Sequence, residues 1–222
     1  MRRIVFFFTV CYYGTVRICG RDGYLRNASV HWGSRTRNER MCRMQYISHY
    51  QSPVGGILLA ADEAGLTGLW FEGAKYFADQ LEPAHEEKDT PALEAAKRWL
   101  ALYFSGTEPD FLPPIHLKGS PFRLAVWEIL QKIPYGKTLT YGEIAKEIAR
   151  LKGLPRMSAQ AVGGAVGHNP ISIVIPCHRV VGTDGSLTGY AGGVDRKAKL
   201  LALEKAEEGQ GRKNREGVSN ES

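Results

Sequence analysis

The chain has 222 residues, 43% apolar and 10% aromatic, which suffices for one large core or two small ones and excludes a disordered or fibrous protein. Four cysteines, three of them in the first 43 residues, exclude a disulfide framework, and no apolar run approaches the roughly 20 residues of a membrane span. The net charge of +6 changes sign along the chain: nine arginines oppose two acids over residues 1–43, four bases oppose eleven acids over 44–117, thirteen oppose six over 118–206, and three oppose four over 207–222.

Ile4 to Tyr13 follows Arg2-Arg3 in the manner of a signal peptide, but no small-residue cleavage pattern comes after it. Periodic sequence begins only near Met44, so residues 1–43 are expected to be a leader, disordered or outside the native protein, with Met41 or Met44 as the true start.

From Gln45 onward, Tyr46–Tyr50, Ile57–Ala61 and Leu66–Phe71 are short β-rich runs separated by Ser52-Pro53-Val54-Gly55-Gly56 and Glu63-Ala64-Gly65, which predicts an antiparallel meander. Thr90-Pro91 followed by Leu93, Ala96, Leu100 and Phe104 predicts a capped amphipathic helix. Residues 44–117 therefore read as an α+β domain. No cluster of Cys, His or carboxylates within it has catalytic or ligand spacing, so its expected role is a scaffold.

Phe111-Leu112-Pro113-Pro114-Ile115 is the predicted linker. The acidic block before it and the basic block after it suggest two domains, the second attracting a polyanion, although an ordinary solvated surface would carry the same charges. Residues 118–206 read as mainly helical. Ser120-Pro121 caps a segment with Phe122, Ala125, Val126, Ile129 and Leu130 on one face. Thr140 and Glu143 form a capping box ahead of Ile144, Ala145 and Ile148, and Ser158 caps a second short helix, Ala159 to Gly167. Two short helices joined by a turn in a basic region fit a helix-turn-helix, and equally fit ordinary helix packing. Gly163-Gly164 inside the second helix implies close approach of something to the backbone, either from outside or from the segment carrying Cys177.

Ile171–Ile175 reads as a short buried strand ending at Pro176-Cys177-His178-Arg179. A free thiol with a pKa near 8.5 needs activation to be a nucleophile. His178 is adjacent, and Glu204 lies on the final amphipathic segment with Val194, Ala198, Leu201 and Leu203, so a Cys177, His178, Glu204 relay is chemically feasible. Adjacent residues of a strand point to opposite faces, so His178 needs the turn or a bridging water to reach the sulfur. The pair Cys177-His178 alone fits a small buried hydrophobe beside an interior histidine as well as it fits a reactive site. Residues 207–222 are expected to form a disordered tail.

Ile175-Pro176-Cys177-His178-Arg179-Val180-Val181-Gly182, Ala161-Val162-Gly163-Gly164-Ala165, Asn169-Pro170, Thr140-Tyr141 and Gly189-Tyr190-Ala191-Gly192-Gly193, in that order and spacing, resemble the O6-alkylguanine-DNA alkyltransferases of bacterial constitutive type. Ser52-Pro53-Val54-Gly55 and Gly68-Leu69-Trp70-Phe71 extend the resemblance into the first domain. It implies a small amino-terminal antiparallel sheet with a helix, then a helical domain with a helix-turn-helix and a short strand carrying the reactive cysteine.

The implied activity is stoichiometric transfer of an alkyl group from O6 of a flipped guanine, with O4 of thymine a second possible source, to Cys177 in a suicide reaction. His178 is implied to act through a water, Glu204 to hold His178, and Asn169 to brace the turn. Tyr141, Gln160, Ala161, Gly164, Ala165 and Arg179 are the implied DNA contacts. Tyr141, Val180, Leu187, Tyr190, Ala191 and Gly192 are the implied pocket, with the carbonyls of Cys177 and Val180 accepting from the base. The implied partner is alkylated double-stranded DNA entered from the minor groove by a cytoplasmic monomer.

Gln160 stands where many members of the family place an arginine. Zinc occurs in some members, but residues 44–117 hold no matching Cys/His set, since His49, His85 and His116 have no cysteine partner, and neither metal nor cofactor is expected. The alternatives are a non-catalytic alkyl-damage recognition module and a helix-turn-helix regulator.

Overall fold

The computed structural model describes residues 16–19, 25–28 and 44–216, the first two stretches and 206–216 as backbone alone. Residues 1–41 form a unit of their own, in which β1 (Val16–Cys19) and β2 (Leu25–Ala28) pair antiparallel with Val16 opposite Ala28. The remainder of the expected leader lies outside the described residues.

In the unit that begins at Cys42, β3 (Gln45–Ser52), β4 (Gly55–Asp62) and β5 (Gly65–Phe71) form the meander. Ser52 pairs with Gly55 across the first turn, where Gly55 takes φ +116°, a value that favours glycine. One strand departs from the expected antiparallel pattern: β6 (His85–Glu87) lies parallel to β3, giving the order β5-β4-β3-β6.

Alternation along β4 sends Ile57, Leu59 and Ala61 to the main core and Leu58 and Ala60 to a small second cluster with Trp70. A register shift opposite Ala60/Ala61 inserts Thr67 as an extra residue in β5. Leu66 and Leu69, which strict alternation would send to opposite faces, therefore both reach the main core.

Helix α1 (Pro91–Phe104) packs on this sheet with Leu93, Ala96, Trp99, Leu100 and Tyr103 buried. Its start is set by Thr90, whose Oγ1 accepts from Leu93 N at 3.4 Å, with Pro91 in the first turn. Helix α2 (Pro121–Gln131) starts in the same way, Ser120 Oγ accepting from Arg123 N at 3.3 Å. After β7 (Leu139–Thr140), the capping box of α3 (Tyr141–Leu151) closes in both directions, Glu143 N to Thr140 Oγ1 at 3.1 Å and Thr140 N to Glu143 Oε2 at 2.7 Å. Ser158 caps α4 (Ala159–Gly167), and Trp127 Nε1 donates to Ala165 O at 2.9 Å, pinning α4 to α2.

Ile171–Ile175 is not a strand. It makes one bridge, Leu69 with Ile171, and then turns through Ile173 at φ +68°. A 3-10 turn, Cys177–Arg179, leads directly into the two-residue strand β8 (Val180–Val181), which pairs parallel with β7. Helix α5 (Val194–Glu216) follows, its backbone helical well into the segment expected as an irregular tail. Its buried face is Lys197, Leu200, Leu201 and Glu204, whereas Val194 and Ala198 are exposed, so the stripe read from the sequence is displaced.

The two halves share one core running from Ile57 through Tyr103, Trp127 and Val162 to Leu200. The outer edge of β5 is closed by the second half and the linker. Leu66 N donates to Pro114 O at 2.7 Å and Leu66 O accepts from His116 N at 2.8 Å, while Leu69 N donates to Pro170 O at 2.8 Å and Leu69 O accepts from Ser172 N at 3.0 Å. The residues leading into Cys177 are thus held on the sheet of the first half.

Candidate active site

Helix α4 ends at Gly167 with His168 as its C-cap, and Asn169 follows, buried. Its side chain replaces a strand ladder. Oδ1 accepts from Ile171 N at 3.1 Å, and Nδ2 donates to Ile175 O at 2.8 Å, to Cys177 Sγ at 3.0 Å and to Ile171 O at 3.3 Å. The amide therefore closes the loop that ends at Cys177 and places a donor on the sulfur.

Cys177 is buried within the core cluster. Burial pushes its thiol up to about 11, against the hydrogen bond from Asn169, backbone donors and the charge of Lys197. At neutral pH only about one thiol in ten thousand would then be ionised, so the site needs a base.

His178 is adjacent and entirely buried. Its Nε2 donates to Glu204 Oε1 at 2.7 Å, and among the described residues its Nδ1 is buried with no hydrogen-bond partner. Burial holds the imidazole below its usual pKa, outweighing the pull of Glu204, so the resting ring is neutral with Nδ1 free to accept a proton. Glu204 is the opposite case: burial would raise its carboxyl, but hydrogen bonds from His178 and Arg179, with the Arg179 charge, outweigh this and hold it at about 2.

Arg179, expected as a DNA contact, is buried instead. Its Nε donates to Glu204 Oε2 at 2.9 Å, its Nη2 to Glu204 Oε1 at 3.0 Å and its Nη1 to Ile133 O at 2.6 Å, while the guanidinium lies over the Tyr135 ring. All three nitrogens of the buried fork are engaged internally, so the guanidinium is not presented to a phosphate. Ala165 is a second correction: its side chain is buried against the core, turned away from the outer face of α4.

Gln160, Ala161 and Gly164 are exposed on α4. A side chain at Gly164 would meet nothing within 4 Å and one at Gly163 only the Tyr141 ring at 3.8 Å, so close packing against the Cys177 segment does not account for these glycines.

The loop over the site runs from Leu187 to Gly193. Tyr141 Oη, from the first turn of α3, donates to Thr188 O at 3.1 Å and Gly189 O at 3.2 Å. Gly189 has φ +60°. Ala191 O accepts from Lys75 N at 2.9 Å and Gly192 O from Arg196 Nη1 at 3.1 Å. A Cβ at Gly192 would lie 2.6 Å from the Tyr190 ring and 3.0 Å from that of Phe71, so only glycine packs there. Leu187 and Ala191 are half-buried and Tyr190 is buried, whereas Val180 turns its side chain into the core.

Two site residues escaped the sequence. Lys197 is fully buried and its Nζ donates to Val180 O and to Thr188 O, joining the cysteine turn to the loop. Lys197 and Glu204 stand seven apart with Leu200 and Leu201 between them, a spacing that puts both ions on the apolar stripe of α5 and was the available signal. Tyr103 of α1 donates its hydroxyl to Glu204 Oε1 at 2.8 Å. A tyrosine on the buried stripe with Leu93, Ala96 and Leu100 must find a partner for its hydroxyl, but nothing local identifies that partner.

Two family models match the chain: 6-O-methylguanine DNA methyltransferase, ribonuclease-like domain, over residues 45–117, and 6-O-methylguanine DNA methyltransferase, DNA binding domain, over residues 121–206. A methylated-DNA–protein-cysteine methyltransferase of Mycolicibacterium paratuberculosis is 46% identical over 156 residues, which cover 69% of this chain and 88% of that protein. The constitutive methylated-DNA–protein-cysteine methyltransferase of Bacillus subtilis is 38% identical over 165 residues, covering 73% of this chain and 96% of that protein. The crystal structure of Mycobacterium tuberculosis OGT in complex with DNA superposes with a TM-score of 0.61 at 40% identity, covering 73% of this chain and 93% of that one.

Proposed function

The chain belongs to the 6-O-methylguanine DNA methyltransferase family, a protein-cysteine methyltransferase of direct DNA alkyl repair, and on that premise we propose that Cys177 is the residue consumed. The observation that carries this is the Asn169 Nδ2 donor 3.0 Å from a buried Sγ, beside a neutral histidine whose Nδ1 is unused.

The thiol proton passes to His178 Nδ1 through a water, and Glu204 stabilises the imidazolium that forms. The sulfur lone pair forms the S–C bond as the C–O6 bond breaks with its pair going to oxygen. The purine takes up one proton to become guanine, so the thiol proton balances the reaction and a thioether remains. Since the thioether has no leaving route, one protein repairs one base.

The substrate is a guanine alkylated at O6 and rotated out of the duplex, because a base inside the stack cannot reach a buried sulfur. Tyr141, Leu187, Tyr190, Ala191 and Gly192 wall the pocket, and the Val180 carbonyl accepts from the base. The small outer face of α4, Ala161 and Gly164 with Gln160 at its start, enters the minor groove, whose nearly degenerate code leaves sequence preference low. The protein works as a monomer, and a free reactive thiol suits a reducing cytosol.

The test is to mix the protein with a duplex containing one O6-methylguanine and to map the added mass by peptide. A single methyl on Cys177, absent in Cys177→Ala, is expected. A methyl elsewhere, or one that survives the substitution, rules the assignment out.

A further inference from the structure

We propose that Tyr103, contributed by α1 of the amino-terminal half, is a positioning residue of the alkyl-transfer site, its hydroxyl fixing the Glu204 carboxylate against which His178 works. The proposal rests on Cys177 being the acceptor and His178 its base. It makes the first half part of the reaction machinery instead of the passive scaffold expected from its sequence.

Glu204 receives donors from four residues. Oε1 accepts from Tyr103 Oη at 2.8 Å, from His178 Nε2 at 2.7 Å and from Arg179, while Oε2 accepts from Arg179 and from Gly136 N at 3.1 Å. A carboxylate has about four acceptor positions, so its capacity is filled. Tyr103 and His178 compete for the same oxygen, with the tyrosine oxygen itself 3.4 Å from His178 Nε2.

The phenol cannot drift from this place. Its ring stacks on Trp99 at 5.4 Å between centroids and meets Phe104, Tyr135 and His178 edge-on at 5.3, 6.0 and 6.3 Å. Burial and the charge of Glu204 push the hydroxyl far above its ordinary pKa, so it serves as a permanent neutral donor.

A donor on Oε1 withdraws charge from the oxygen that holds the His178 proton. Without it, Glu204 pulls harder on the imidazole, and His178 holds a proton to higher pH. The groups facing His178 are Tyr103 from α1, Cys177 and Arg179 from its own turn, and Lys197 and Glu204 from α5. Of these, Tyr103 donates its hydroxyl to Glu204 Oε1, and Tyr103→Phe removes that donor as a single atom without changing a charge.

The experiment compares single-turnover methyl transfer to the full chain, as a function of pH, for the parent, Tyr103→Phe and a variant with 3-fluorotyrosine at position 103. Tyr103→Phe is expected to move the acid limb up by about one pH unit, the scale of one hydrogen bond to a charged group. Well below the limb the rate then falls about tenfold, while the Kd for undamaged duplex stays unchanged. Fluorination makes the phenol a stronger donor, so that variant moves the limb downward, and it adds too little bulk to threaten folding. NMR titration of the His178 ring reports the same two directions without any substrate. An unmoved limb in both variants, or displacement of both in one direction as a packing defect would give, overturns the proposal. Failure of the parent to take up methyl at any pH overturns the acceptor assignment instead, and the titration then still judges Tyr103.

Discussion

Asn169→Ala removes one side chain and four hydrogen bonds: those to Ile175 O, Cys177 Sγ and Ile171 O, and the one from Ile171 N. At about 1 kcal/mol net for each good bond, less for the long bond and the sulfur, and with the buried Ile171 N–H left unsatisfied, the loss is about 3–4 kcal/mol. Against a global stability of about 5–15 kcal/mol this leaves a folded but weakened protein. With a urea slope of about 2 kcal/mol/M, the unfolding midpoint falls by about 1.5–2 M. The chemistry suffers separately, because Nδ2 opposes the burial that raises the Cys177 thiol. Loss of a hydrogen bond to a thiolate slows methyl transfer at neutral pH about tenfold to a hundredfold. Urea unfolding followed by tryptophan fluorescence and a single-turnover transfer assay in the absence of urea measure the two effects. A midpoint within about 0.5 M of the parent, or an unchanged transfer rate, would refute the view that this amide both closes the loop and tunes the sulfur.

Arg179→Lys keeps the charge but loses the fork that spans both oxygens of Glu204, so it destabilises by about 3–5 kcal/mol. Because Arg179 is buried, the slope of log Kd for DNA against log salt stays at the parent value, and a fall in that slope would restore it as a phosphate contact. Gln160→Arg on the exposed start of α4 strengthens duplex binding and steepens the salt slope by about one, whereas equal affinities across a salt series would exclude Gln160 from the interface. The Glu204 carboxyl sits at about 2 in the folded chain against an ordinary 4.5, so its contribution is complete above about 4.5 and is lost as pH falls toward 2. Acid denaturation curves should therefore be shallower for Glu204→Gln than for the parent. The Cys177 thiol acts in the other direction, its contribution complete below about 9 and lost as pH rises through 11. Cys177→Ala should remove that alkaline loss.

What could be read from the residues was local. Thr90, Ser120, Thr140 with Glu143, and Ser158 cap helices through bonds that span three residues, and each starts its helix as expected. The motif around Cys177 was legible for the same reason, since Asn169 and the turn it braces lie within nine residues. Ile171–Ile175 misled because an apolar run looks the same in a buried strand and in a buried turn. Only the side chain of Asn169, standing in for ladder partners, decides between them. Buried ions were the least visible. Arg179 meets its partner 25 residues away and Tyr103 meets the same carboxylate 101 residues away, so their places are fixed by tertiary packing that no local pattern encodes.

The closure of the β5 edge carries a consequence for how the chain is made. Leu69 finds its last hydrogen-bond partners at Pro170 and Ser172, about a hundred residues downstream. On a ribosome that adds about 5–20 residues per second, the first half therefore waits several seconds with an unpaired strand edge before those residues emerge. An open, apolar edge is a template for pairing with another chain. The nascent protein is thus most vulnerable to aggregation before its reactive turn has been synthesised. Arrival of that turn seals the sheet, so closure of the first half and placement of Cys177 become a single late event.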